Sequence, residues 1–347
     1  MRFYTSQHKF YCGIDLHART MYLCILTQEG KVVLHRDIKT KPDVFLKTIE
    51  PYREDIVVAV ECIFTWYWIA DLCSQENIPF VLGHALYMKA IHGGKAKNDK
   101  LDAYKIATLL RGGMMPMAYV YPADMRATRD LLRRRNHLAR KRAELLAHVQ
   151  NTNHQYNLPA IEKNLGKKGN REGVAKRFPD LCVQKSIELD LGLIDHYDQL
   201  LHRTEHEISL IAKEYDADSY FRIRSIPGIG RILGLVILYE IHDIDRFPRV
   251  QDFVSYCRLV KCAKESAGKI IGSSGKKIGN VHLKWAFSEA AVLFLRRNPL
   301  ALKYRAKLER KHGKAKSLTI LAHKLARTVY HILKRKEVFH PETFFAN

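Results

Sequence analysis

The sequence predicts an α/β N-terminal domain on a mixed sheet, then a long-helix arm, then a mostly α-helical C-terminal domain. Three patterns carry this reading. Residues 10–82 hold short, β-rich, near-continuously apolar runs; residues 124–215 hold two long stretches of helical periodicity; beyond 225, apolar helical patterns alternate with glycine-containing turns. Domain limits follow at 1–122, 123–219 and 220–347.

Within the first domain, Phe10 to Leu16, Met21 to Leu26 and Val32 to Asp37 read as three strands, with turns at His17-Ala18-Arg19 and Gln28-Glu29-Gly30. A helical stretch, the strand Ile56-Val57-Val58-Ala59-Val60, a helix from Trp66 to Glu76 and a short strand at Pro79-Phe80-Val81-Leu82 follow. Three meandering strands and then alternating helix and strand resemble the RNase H-like fold, whose acid clusters cut or join nucleic acids. The runs ending at Asp15 and Glu61 are apolar enough to be buried on both faces. If they lie parallel and adjacent, both carboxylates emerge at the carboxyl edge of the sheet, where α/β proteins place ligands.

Asp99 and Asp102 open the helical stretch to Leu110, and their i,i+3 spacing puts both on one face. Asp15, Glu61, Asp99 and Asp102 are therefore candidates for one metal-binding cluster. Asn98 or Asp99 serves equally well as a helix N-cap, with Asp102 favouring the dipole, and Asp15 alone suits a turn. Glu61, at the end of a wholly apolar strand, needs a partner.

Composition points the same way. With 58 Lys and Arg against 36 Asp and Glu, the formal charge of +22 suits a polyanionic partner. A compact acidic site in such a chain suggests Mg²⁺ acting on a phosphodiester. The charge is a poor match for a sugar-kinase or actin-like ATPase, and Leu16-His17-Ala18 follows Asp15 where their phosphate loop needs glycine. Seven cysteines, never spaced CxxC, exclude a disulfide framework or zinc ribbon. No apolar run reaches about 18 residues and the N-terminus lacks a signal-peptide core, so the expectation is a cytoplasmic, nucleoid-associated protein with no membrane partner.

Asp124 to Gln155 reads as one long helix, with eight Lys or Arg between Arg126 and Arg142 against the single acid Asp130. Such a run is either a solvated face or a surface that an anion covers. Asn157 to Pro179, with Gly166, Gly169, Gly173 and six basic residues, reads as a mobile linker; a second long helix spans Leu181 to Tyr215. Two long helices joined by a loop suggest an antiparallel arm for self-association.

Ser225-Ile226-Pro227-Gly228-Ile229-Gly230 before the apolar helix Ile232 to Ile241 resembles a helix-hairpin-helix element that offers backbone N–H groups to a phosphate; a plain helix–helix turn with glycines for close packing fits as well. Phe253 to Val260 reads as a buried helix, and Lys261 to Gly279 as a polar, basic loop. Its serines lie among the small and basic residues that a phosphoryl-transfer nucleophile needs, and such loops are also ordinary solvated surface. Trp66, Tyr67, Trp68 and Tyr87 suit either base stacking or core packing.

Gly13-Ile14-Asp15, Val60-Glu61, Asn98-Asp99-Lys100-Leu101-Asp102-Ala103, Ser225 to Gly230 and Lys264-Glu265-Ser266-Ala267-Gly268 resemble, in order and spacing, the insertion-sequence one-ten family of DEDD transposases. The resemblance covers nearly the whole chain. It implies a RuvC-like domain whose four acids are metal ligands, a coiled-coil arm, and a C-terminal transposase domain in which Ser266 is the nucleophile. It also implies Mg²⁺ (with Mn²⁺ as substitute), donor and target DNA, and a non-coding bridge RNA whose pairing selects the sites. A phosphoserine intermediate and a dimer or tetramer, with one active site drawn from both domains, complete the expectation. Cys62-Ile63-Phe64-Thr65-Trp66 departs from the small, glycine-containing segment usual after the glutamate, and Ser273 and Ser274 compete with Ser266. A RuvC- or RNase H-like junction resolvase acting through metal-activated water is the alternative, and it leaves Ser266 without a role; a non-catalytic binder is a third reading.

Overall fold

The computed structural model describes residues 2–92, 98–211, 216–260, 262–274 and 278–346. It divides into two compact units, Met1–Asp124 and Met125–Asn347.

The first unit is a mixed α/β body. In chain order its elements are β1 (Phe3–Tyr4), β2 (Phe10–Leu16), β3 (Thr20–Thr27), β4 (Val32–Lys39), α1 (Pro42–Ile49), β5 (Ile56–Glu61), α2 (Tyr67–Gln75), β6 (Phe80–Gly83), α3 (Ala85–His92), α4 (Asp99–Arg111) and β7 (Met115–Pro116). The five-stranded sheet runs β4-β3-β2-β5-β6, with β2, β3 and β4 antiparallel and β2, β5 and β6 parallel. The mixed sheet is as the sequence predicts. The pairing of β1 with β7 is an addition that two-residue strands do not announce.

The period-2 alternation sends the two faces of β2 into different cores. Cys12, Ile14 and Leu16 join Val58 and Val60 under α1 and α2, through Phe45, Ile49, Ile69 and Cys73. Tyr11 joins Val57, Ala59 and Val81 under α4, through Ile106, Leu109 and Leu110. At Gly13 the helix rests on the strand backbone: a Cβ there would lie 2.2 Å from Ala107 N and 2.5 Å from Ala103 O. Trp66 is buried, and Tyr67 and Trp68 pack against the α2 core, so packing accounts for these aromatics; Tyr87 stacks at a tilt on His84.

The second unit is mostly helical, with α5 (Ala123–Gln155), α6 (Leu181–Ile211), α7 (Ala217–Arg224), α8 (Arg231–Ile241), α9 (Val250–Tyr256), the hairpin β8 (Cys262–Ser266) and β9 (Lys269–Ser274), α10 (Val281–Phe294), α11 (Pro299–His312), α12 (Lys314–Arg335) and α13 (Pro341–Phe345). Arg135–Glu205, Arg142–Asp198 and His148–Asp190 contacts show α5 and α6 running antiparallel.

The charge excess of α5 is largely met from within. Arg129 and Arg133 both bind Glu240, at 3.0 and 2.6 Å, beside the pairs that Arg135 and Arg142 make with α6. Arg134 and Arg140 stay exposed. Residues 157–179 are not the mobile linker that their glycines suggest. Leu165, Val174, Ala175 and Phe178 are buried against Val149 and Ile187. Arg171, almost fully buried, binds the Leu165 and Gly166 carbonyls and the carboxylates of Asp195 and Asp198. A buried guanidinium with this many acceptors fixes the loop against α6. The expected loop at 261–279 is, within the described residues, the β8–β9 hairpin; Gly275-Lys276-Lys277 lies outside them.

Candidate functional site

Ile14 pairs with Val60 in the parallel β2–β5 ladder, so Asp15 and Glu61 are the next residues on adjacent strands, both at carboxyl ends. They share phase with Tyr11, Gly13, Val57 and Ala59, which places both on the α4 face. Asn98 caps α4 by accepting the Leu101 N–H at 2.8 Å, which leaves Asp99 free of the capping role the sequence allowed it. Gly13 lets the start of α4 approach the strand that carries Asp15.

The carboxylates of Asp15 and Asp99 then meet, together with His17. Ligand atoms of these three residues all lie within 4.8 Å of one another. His17 Nε2 stands 3.4 Å from Asp15 Oδ2 and 3.7 Å from Asp99 Oδ1. Burial raises the Asp15 carboxyl above its ordinary value; His17 pulls it down, and the charges of Asp99 and Asp102 push it up again. Asp102 is thus electrostatically part of the group, and Lys105 Nζ partly neutralises it at 3.1 Å. Glu61 is half-buried at the end of β5. The departing segment after it is tied to the other strand end: the Thr65 hydroxyl donates to the Leu16 carbonyl at 3.2 Å.

Sequence reasoning missed His17, reading it as part of a turn. The turn is what aims it. Its N–H donates to the Thr20 carbonyl and its carbonyl accepts the Thr40 hydroxyl, holding the residue at the tip of the β2–β3 connection. A histidine two residues after a strand-end carboxylate was the available signal.

In the second unit, Ser266 ends β8 and pairs with Lys269 across a two-residue turn. Ala267 and Gly268 have φ of 49° and 72°, the doubly left-handed turn that suits a tight hairpin. Ser266 is exposed at this tip, as are Ile270 and Ile271 beyond it. The backbones of Ser273 and Ser274 pair with Ala263 and Cys262 at the opposite end; their side chains lie outside the described residues.

The two glycines of Pro227-Gly228-Ile229-Gly230 do different work. At Gly228, φ is 85° and a Cβ would lie 2.5 Å from Phe294 N, so close helix packing requires it. Gly230 caps α8 with open space before it. Behind it, α8 carries the buried Glu240. Burial pushes this carboxyl up, but the Arg133 hydrogen bond, the charges of Arg129 and Arg133, and the Asn280 amide outweigh burial and hold it at about 2.

Comparison with known proteins locates these features in one class. A DEDD-type transposase model matches residues 12–157, and a model described as Transposase IS116/IS110/IS902 family matches residues 221–306. The chain is 24% identical to the transposase for insertion sequence element IS1111A of Coxiella burnetii over 338 residues, 94% of this chain and 90% of that protein. It is 25% identical to the IS1328 transposase of Yersinia enterocolitica, over 94% of this chain and 97% of that one. The IS1533 transposase of Leptospira borgpetersenii is 27% identical over 139 residues, 38% of this chain and 40% of that protein.

A mixed sheet with acids at its carboxyl edge and a helical partner region, each matched by a transposase model, defines an insertion-sequence transposase, an enzyme that cuts and recombines DNA. The chain belongs to the IS110 family of transposases.

Proposed function

We propose that this transposase cuts and rejoins DNA through a covalent serine intermediate, with Asp15, Glu61, Asp99 and Asp102 holding Mg²⁺ or, in its place, Mn²⁺. The observation that carries the metal reading is the meeting of Asp15 and Asp99 at one point of the sheet edge, with Asp102 close enough to raise the Asp15 carboxyl. Carboxylate oxygens are the hard donors that suit Mg²⁺. When bound, the ion neutralises phosphate charge.

The chain's own part is Ser266. Its Oγ gives up its proton and bonds to the phosphorus; the bond from phosphorus to the sugar oxygen breaks, and that oxygen takes up a proton. The phosphoserine ester conserves the bond energy, and attack by a new sugar hydroxyl reverses the step on another strand. Exposure at a hairpin tip, with Lys269 opposite, supports this role.

The first unit is read as RuvC-like, and α5 with α6 as a coiled-coil arm through which two or four copies assemble. The open cap at Gly230 supports a helix-hairpin-helix contact to DNA phosphate. A bridge RNA selects donor and target, and the exposed Arg134 and Arg140 are suited to such a load.

The test is a denaturing gel of the protein incubated with its element's DNA ends and Mg²⁺. A covalent protein–DNA adduct should form, vanish in Ser266→Ala, and vanish with recombination in Asp15→Ala. Hydrolysed ends without adduct would instead select the junction-resolvase reading, with water as nucleophile. Sequencing of RNA that copurifies from the native locus tests guidance: a transcript flanking the gene is expected, and random cellular RNA alone would remove that part of the proposal.

A further inference from the structure

Between α12 and the segment that follows it lies a half-open cavity of about 550 Å³ that neither the carboxylates nor the hairpin uses. One wall is α12, which presents Arg327, His331 and Arg335 at i, i+4 and i+8; the floor includes Phe339 and Phe344 from the segment that follows. Like charges four residues apart on a helix repel. None of these three side chains takes part in an ion pair among the described residues, although Glu337 also lines the cavity.

The electrostatics record that crowding. Burial, then the charges of Arg335 and Arg327, lower the His331 imidazole; burial, then Arg327, lower His323 behind it. Lys324 adds a third permanent cation to the two arginines, held over the rings of Tyr304 and Phe344 at 4.6 and 4.9 Å. Elsewhere in this unit the opposite solution is built in, since Arg129, Arg133, Arg135, Arg142 and Arg171 each face a carboxylate. Here, among the described residues, Arg327 and Arg335 gather beside an apolar floor without an ion pair to the one lining acid, Glu337.

We propose that this cavity binds one nucleotide of a nucleic-acid strand, its phosphate against Arg327, His331 and Arg335 and its base over the apolar floor. A phosphate relieves the stacked charges, and arginine suits it through two parallel N–H donors. The cavity falls in the size range of small-molecule sites, and a flat base covers apolar side chains without needing specific hydrogen bonds. The site would grip one strand nucleotide independently of the cleavage chemistry.

The test is fluorescence anisotropy of the full chain with labelled single strands of one sequence, as DNA and as RNA, across a salt series. Arg327→Gln with Arg335→Gln should weaken binding about ten-fold or more and reduce the slope of log affinity against log salt by about 0.7, the value for one phosphate of a single strand. A matched control, Lys303→Gln with Lys307→Gln on the exposed side of α11, removes the same charge and should change affinity less than about two-fold if the cavity is the site. Equal losses in the two double variants would overturn the proposal. Val338→Trp, at a half-exposed lining position, leaves charge unchanged and should weaken binding by obstructing the cavity; wild-type affinity in this variant would also overturn it. The arm that loses more, DNA or RNA, identifies the strand. All variants remain readable through metal-dependent adduct formation, because none lies among the residues assigned to cleavage.

Discussion

The two units bury their acids to opposite ends. Asp15, near the edge of the sheet, is raised by burial and by its acidic neighbours. Glu240, deep in the helical unit, is held at about 2 by two arginines and an amide. One carboxylate has been placed where burial first, and then its acidic neighbours, oppose its charge more than His17 supports it, and the other where it is fully answered. A site kept short of positive charge is suited to take up a cation, whereas an answered pair is architecture.

The sharpest way to break this contrast is at Glu240. Glu240→Gln leaves Arg129 buried without its counter-charge and should cost about 3–5 kcal/mol in urea unfolding at neutral pH. The sign is fixed by the lowered carboxyl. Its contribution is complete above the ordinary value of 4.5 and is lost as pH falls toward about 2, so the gap between wild type and variant should close across that window. A gap that holds constant to pH 2 would deny the pairing its role.

Next in size is Gly13→Ala. The added methyl meets the backbone of α4 at 2.2 Å, and overpacking of this kind costs about 1–3 kcal/mol. Because the same contact positions Asp99, metal-dependent adduct formation should fall further than stability does; a variant with normal activity would show that α4 placement is unimportant. His17→Ala should weaken Mn²⁺ binding about ten-fold, as loss of a group that orients or joins a metal site does, and titration calorimetry of the metal alone reads this directly. The smallest effect is the most diagnostic. Asp15→Asn removes a charge that its surroundings oppose, so it should raise metal-free stability by about 1 kcal/mol while abolishing recombination, the trade expected where function holds a charge in place. A stability loss would class Asp15 with Glu240.

Much of the first unit was legible because its signals are local. Apolar runs of strand length gave the sheet, and carboxylates ending two of them gave Asp15 and Glu61 their adjacent positions. His17 was hidden because a single histidine in a turn carries no pattern. In the second unit the partners are remote: Arg133 and Glu240 are 107 residues apart, and Arg135 and Glu205 are 70. No charge count along α5 reveals that its arginines are answered from inside. The segment at 157–179 misled for a related reason. Its glycines and lysines are conspicuous, while the buried set of Leu165, Val174 and Phe178 follows no regular period and depends on Arg171, whose acceptors Asp195 and Asp198 come from α6. The hairpin at Ser266 has a turn with alanine at its first left-handed position, a weaker signal than Asn-Gly.

The bare backbone contact at Gly13 has one more consequence. Side chains between a strand and a helix act as springs, since rotamers can shift and let the gap widen; where mainchain meets mainchain there is nothing to compress or relax. The separation between the carriers of Asp15 and Asp99 is therefore a fixed gauge. If Asp15 and Asp99 hold the metal as proposed, a rigid gauge favours the ion whose bonds are short, about 2.0–2.1 Å for Mg²⁺, over Ca²⁺ at about 2.3–2.6 Å, and a single missing side chain then sets the caliper for that ion.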